Sequence, residues 1–162
     1  MQLETLEDLL VHQLRDLYDA EHRDLELLPD LTEAANDVSL VQVLQEHHQE
    51  TSDQRRRLEA CFQRLDHTPV RGDCTAMAGM VAEAEDVMES GDDPAVQDAA
   101  IAAVKRRIAH YEIAGYGTAR DLARQLGAHD VADLLQQTLD EETSSDAELG
   151  QVARNVVNVG AA

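Results

Sequence analysis

A chain of 162 residues is one domain's worth, long enough to bury roughly 70% of its unfolded surface and fold without disulfides or a structural metal. Aromatic residues make up 2% and tryptophan is absent, while aliphatics, Asp, Glu and Gln abound, which argues against a sheet and for an all-α fold. The formal charge of −20, with Lys105 the one lysine, repels phosphate backbones and anionic lipid, so nucleic acid, DNA coating included, and membrane surfaces are not expected partners.

The predicted elements are five helices, four of them long. The first covers about 3–35, with Leu14, Leu17, Glu21, Leu28, Leu31 and Ala35 recurring every three or four residues on one seam. It begins in MQLETLEDLLVHQLRDLYDAEH, which carries acids from Glu4 onward and no small-residue cleavage site, so no secretory signal is expected there. Asn36-Asp37 breaks this helix, and Ser39 with Gln42 offers a capping box for the next. The second helix, about 39–65, repeats the rhythm through Leu44, His47, Thr51, Gln54, Leu58, Cys61 and Leu65, polar in its middle and aliphatic at its ends.

HTPVRGDC, 67–74, reads as a linker, and a shorter helix follows at about 75–90, ending in SGDD. Asp93-Pro94 supplies an N-cap and first-turn pair for the fourth helix, which stops at Gly127, a residue suited to the position after a helix end. The fifth occupies about 129–157, and the tail VGAA is expected to fray. Nowhere do 18 apolar residues run together, so a cytoplasmic protein is expected. Cys61 and Cys74 match no zinc spacing and are expected as reduced thiols. The acidic, nearly lysine-free composition also suits high salt, where carboxylate repulsion is screened, although an arginine bias reflects nucleotide composition equally well.

Two glutamate pairs stand out, Glu21 with Glu50 and Glu112 with Glu141, each 29 residues apart and each centred on a helix break, Asn36 or Gly127. On antiparallel hairpins each pair would sit at one height, about 22 Å from its turn. Shifting the first hairpin by 91 residues lays it on the second, Glu21 on Glu112, Glu50 on Glu141 and Thr51 on Glu142. The plan is a bundle of two duplicated antiparallel hairpins, 3–66 and 94–157, joined by a crossover helix, 74–90, in a single domain.

Carboxylates at core-facing positions must bind protons, basic partners or cations, because an unpaired buried charge is costly. With only scattered arginines nearby in sequence, two divalent cations are the expected neutraliser, four carboxylates balancing two ions. His47, one turn before Glu50, points the same way and is a candidate ligand, although the order His47-x-x-Glu50 reverses the familiar Glu-x-x-His of bundle metal sites. The repeat selects Glu141 as the fourth acid and the heptad seam selects Glu142, and both stay candidates. Asp53 and Glu83 read as surface acids, and His48 as solvated. Tyr18, Tyr111 and Tyr116 all lie within about one turn of a site glutamate, where a phenol can pack or support a ligand.

DLYDAEH (16–22), HHQET (47–51), HYEIAGYG (110–117) and LDEETSSD (139–146) resemble the YciE/YciF family of ferritin-like stress proteins over nearly the whole chain. The resemblance implies a ferritin-like four-helix bundle, a homodimer, and a dinuclear site of iron, or manganese, on Glu21, Glu50, Glu112 and Glu141 or Glu142, with His47 beside them. Two functions follow. One is an oxidoreductase-like, stress-associated di-iron protein that oxidises Fe(II) with O₂ or peroxide; oxygen-rich ligands with imidazole suit iron and manganese over structural zinc. The other is a non-catalytic dimeric interaction protein whose polar layer is protonated or hydrogen-bonded.

Overall fold

The computed structural model describes residues 3–89 and 93–159, with side chains except those of 156–159. Among them run five helices, α1 (Leu6–Ala34), α2 (Val38–Arg64), α3 (Thr75–Glu89), α4 (Pro94–Gln125) and α5 (His129–Val159), in agreement with the all-α expectation. Ser90 to Asp92, where α3 was expected to stop, and residues 160–162 of the tail lie outside the described residues.

The helix ends follow from capping chemistry. Thr5 and Asp8 form a reciprocal capping box at the start of α1. At α2 the expected Ser39–Gln42 box gives way to Asp37, whose carboxylate accepts from the N–H groups of Ser39 at 2.9 Å and Leu40 at 3.1 Å. An ionised acceptor two residues earlier satisfies these donors better than a hydroxyl can. Asp93 caps α4 as expected, with Pro94 in the first turn. Gly127 takes φ +75°, and the Ala128 N–H bonds back to the Ala123 carbonyl at 2.9 Å, closing α4 in a left-handed turn that suits glycine.

The four long helices close a ring in which α1 packs on α2 and α4, and α5 packs on α2 and α4. Every neighbouring pair is antiparallel. Across α1 and α2, Tyr18 reaches Glu59 and Asp24 reaches Thr51; across α1 and α4, Glu21 meets Tyr116 and Asn36 meets Asp98. Across α2 and α5, Glu50 meets Ser145 and Arg57 meets Thr138. Helices α2 and α4 therefore run the same way, and the connection between them must return along the bundle. Helix α3 makes that return, packed on α1 and α4.

The interior falls into two apolar clusters. One holds Leu27, Leu28, Leu31, Leu40, Leu44, Ile101, Ile108 and Leu149; the other holds Leu10, Leu14, Leu17, Leu58, Phe62, Ala119, Val131 and Leu135. Between them in each long helix lie buried polar residues, Glu21 and Asp24 on α1, His47, Thr51 and Gln54 on α2, Glu112 on α4, and Thr138, Glu142 and Ser145 on α5, while Lys105 enters from within the first cluster's stretch of α4. The helical period thus carries a polar band through an otherwise aliphatic core.

Candidate metal centre

Three of the expected acids reach the band. Glu21, Glu112 and Glu142 are each no more than 5% exposed, and they lie close enough that their charges oppose one another. Burial, then the charge of Glu142, raises the Glu21 carboxyl well above the usual range. Glu112 is raised likewise by burial and by Glu142 and Glu21. Burial pushes Glu142 up to about 7, against the pull of Lys105.

Glu50 and Glu141 take other places. Glu50 is half-buried and accepts from Ser145 Oγ at 2.9 Å, with its carboxyl raised by burial and by neighbouring acids. Glu141 accepts both ends of the Arg57 guanidinium at 2.9 Å, a forked pair that points it along the α2–α5 seam. Arg57 also donates to Thr138 Oγ1 at 2.5 Å. Glu142 is the adjacent acid that turns into the band.

Beside the cations expected to neutralise the layer, the structure places a basic partner within it. The chain's one lysine, Lys105, is 1% exposed and donates to Asp24 Oδ2 at 2.6 Å. Burial works against its ammonium, but Asp24 and then Glu112 more than offset this and raise its pKa. Asp24 also receives Thr51 Oγ1 at a long 3.5 Å. Neither Asp24 nor Lys105 was among the expected site residues.

His47 is buried, and burial with the nearby Lys105 charge lowers its pKa to about 3, so its imidazole is neutral and can accept or ligate. Tyr116, wholly buried, donates to Glu21 Oε1. Tyr18 donates instead to Glu59 at 2.9 Å, and Tyr111 lies 2.9 Å from Cys74 Sγ. Asp53 pairs with Arg56, and Glu83 with Arg107, on the surface. Both cysteines are free and buried.

Unused bonding capacity remains in the band. Glu21 Oε2, Asp24 Oδ1, His47 Nε2, Gln54 Oε1 and Glu112 Oε1 are shielded from solvent without a hydrogen-bond partner among the described residues. Such orphaned acceptors suit a hard or borderline cation. As the side chains stand, no three His, Cys, Asp or Glu groups among the described residues converge as a set of metal ligands. With Lys105 offsetting Asp24, the three glutamates leave a charge of −3 when ionised, which one divalent ion and one proton would balance. By donor type and charge these residues would suit a divalent cation.

The family model described as a domain of unknown function, DUF892, matches residues 5–162. Protein YciF of Escherichia coli K12 is 38% identical over 159 residues, covering 98% of this chain and 96% of that protein. Among solved structures, the E. coli stress protein YciF superposes with a TM-score of 0.92 at 38% identity, over 96% of this chain and 98% of that one. YcfI from Rhodopseudomonas palustris superposes with a TM-score of 0.90 at 38% identity, over 92% of this chain and 95% of that one.

Proposed function

That the chain belongs to the DUF892 family and is a homologue of the stress protein YciF is the premise from which we propose a stress-associated, ferritin-like protein whose buried acid layer exchanges protons for iron or manganese. The observation that carries this reading is the pair of orphaned oxygens, Glu21 Oε2 and Glu112 Oε1, in a layer where burial and mutual repulsion hold protons on acids. Glu21, Glu112 and Glu142 would hold the ion, with neutral His47 the nearby imidazole candidate. Gln54 and Tyr116 position two of these acids, by a bond of 2.7 Å to Glu142 and by the Tyr116–Glu21 bond. A bound redox metal would supply Fe(II) oxidation by O₂ or peroxide. Among the described residues no helix is long and apolar enough to cross a membrane.

Lys105 bears on stoichiometry. With its ammonium bonded to Asp24, Glu21, Glu112 and Glu142 alone balance one divalent ion and a proton, whereas a second ion would need a further acid such as Glu50. Metal analysis of protein purified without chelator, followed by anaerobic Fe(II) titration and oxygen or peroxide consumption, tests both points. Saturable uptake that is lost in Glu112→Gln supports the reading, and the end point distinguishes one ion from two. Absence of saturable uptake overturns it.

The same ion pair favours a second reading, a non-catalytic dimeric interaction protein whose layer is neutralised internally by Lys105 and by protons. That reading expects no metal, unchanged stability on Fe(II) or Mn(II) addition, and twice the chain mass in sedimentation equilibrium.

A further inference from the structure

The acids outside the buried layer trace a way into it. On the α2–α5 seam Glu46 and Glu148 are exposed, Glu50 is half-buried and Glu142 is buried. The charges of Glu141, Glu148 and Glu46 act on Glu50, and that of Glu50 acts on Glu142. Carboxylates of increasing burial thus follow one another inward. Beside them Gln54, 0% exposed, donates to Glu142 at 2.7 Å and reaches Glu141 at 3.4 Å. Its other end, Oε1, is buried and has no hydrogen-bond partner among the described residues. The amide thus links the outer Glu141 to the inner Glu142 through Nε2 and leaves a neutral buried oxygen unused.

Other approaches are narrowed by packing and by ion pairs, while surface cavities open on α1–α2, beside Thr32 and Gln45, and on α1–α4, beside Asp16 and Tyr111. Apolar clusters fill the bundle on both sides of the layer. Between α1 and α4, Leu17 lies against Gly115 so closely that a Cβ there would be 2.8 Å from Leu17 Cδ2. Between α4 and α5, Arg106 holds Asp146 at 2.8 Å and Arg120 holds Gln136 at 2.9 Å.

We propose that the α2–α5 seam is the port by which a hydrated divalent cation reaches the layer: Glu50 receives it, Gln54 Oε1 meets it next, and Arg57 is the latch that keeps Glu141 aside. This rests on the cation binding proposed above. A row of like charges leading into a low-dielectric interior concentrates counter-ions and speeds their entry. The forked Arg57–Glu141 pair limits that field, because its guanidinium is 12% exposed at the rim and cancels one carboxylate.

The test is stopped-flow loading of the metal-free full-length chain with Co(II), read by visible absorption, alongside equilibrium titration. Glu50→Gln, which keeps an acceptor for Ser145 Oγ, is expected to slow association by about fivefold or more and to slow dissociation equally. Its Kd and stoichiometry should therefore stay within about twofold of wild type, as expected of a port and not of a ligand. Arg57→Gln is expected to accelerate both rates. Glu83→Gln and Arg107→Gln make the same charge changes on α3 and α4, away from the seam, and should leave loading unchanged. Unaltered association in Glu50→Gln, or slowing equal to that of Glu83→Gln, overturns the port while leaving the cation site standing. A Kd weakened as much as by Glu142→Gln makes Glu50 a ligand and also overturns it. A wild-type chain that takes up no Co(II) fails the underlying reading and the port together.

Discussion

Lys105 Nζ lies 2.6 Å from Asp24 Oδ2, with both side chains at most 2% exposed. This contact joins α4 to α1 in the middle of the bundle. It also sets the charge of the layer, since without the ammonium Asp24 would be a fourth uncompensated carboxylate among Glu21, Glu112 and Glu142.

Removing one partner of a buried pair leaves a desolvated charge behind, and the cost is typically about 3–5 kcal/mol. Lys105→Met is expected to destabilise the chain by that amount in urea unfolding at neutral pH. Lys105→Met combined with Asp24→Leu should recover most of the loss, because the paired cavity is then filled by aliphatic side chains. Strict additivity of the two single changes would show that the pair is not coupled.

Much of this arrangement was legible in the spacing of residues. Recurrence every three or four positions located the helices and the inward faces of Glu21, Glu112 and His47. The cap at Asp93 and the stop at Gly127 were equally visible, because a proline after Asp and an isolated glycine have few other uses. Lys105 also stands on a seam, between Ile101 and Ile108, as Asp24 does between Glu21 and Leu28. Neither is legible as a buried residue from spacing, because a lone charge on a seam normally snorkels to water, and only the partner across the bundle makes burial tolerable. For the same reason the choice between Glu141 and Glu142 was open. The heptad seam and the internal repeat disagreed, and the tie was broken by Arg57, 84 residues away along the chain.

Gly115 faces Leu17 across α1 and α4, its added Cβ falling 2.8 Å from Leu17 Cδ2, whereas an added Cβ at Gly117 meets no neighbouring element within 4 Å. Gly115→Ala is expected to cost about 1–2 kcal/mol, because repacking the buried Leu17 outweighs the helix propensity gained. Gly117→Ala should stabilise by about 0.5–1 kcal/mol. Thermal unfolding of the two variants checks the contrast, and equal shifts of either sign would show that Leu17 moves aside freely.

Asp19, 2% exposed, clamps the return connection to α1. Its carboxylate accepts from Arg23 at 2.8 Å, Arg71 at 2.9 Å and the Cys74 N–H at 3.0 Å. Burial opposes its charge, but these partners win and hold its pKa below the ordinary value. Asp19→Ala orphans the Cys74 N–H where α3 begins and is expected to cost about 2–4 kcal/mol. Hydrogen exchange should show the loss first in 70–80, ahead of the α4–α5 pair. Uniform loss of protection would place the clamp in the global unfolding unit instead.

The pH dependence follows from Glu142. Its ordinary value is 4.5 and its folded value about 7, so between these the folded chain holds a proton that the unfolded chain has released. Stability of the metal-free protein is then complete below about pH 4.5 with respect to this group and falls as pH rises through about 7, by about 3 kcal/mol in all. Glu21 and Glu112 shift in the same direction and add to the decline. Asp19 and Asp146 have lowered values and act oppositely, but their gain is already made by about pH 5. His47, lowered from 6.5 to about 3, also acts oppositely and returns about 2 kcal/mol between about pH 5 and 7, less than the three glutamates together take away. Urea unfolding of chelator-treated protein between pH 5 and 8 should therefore show falling stability, and Glu142→Gln should flatten much of the slope. Saturating Mn(II) should reverse the trend, since a cation that takes the place of the protons binds more tightly as they leave. A metal-free protein that grows more stable toward pH 8 would refute the protonated layer.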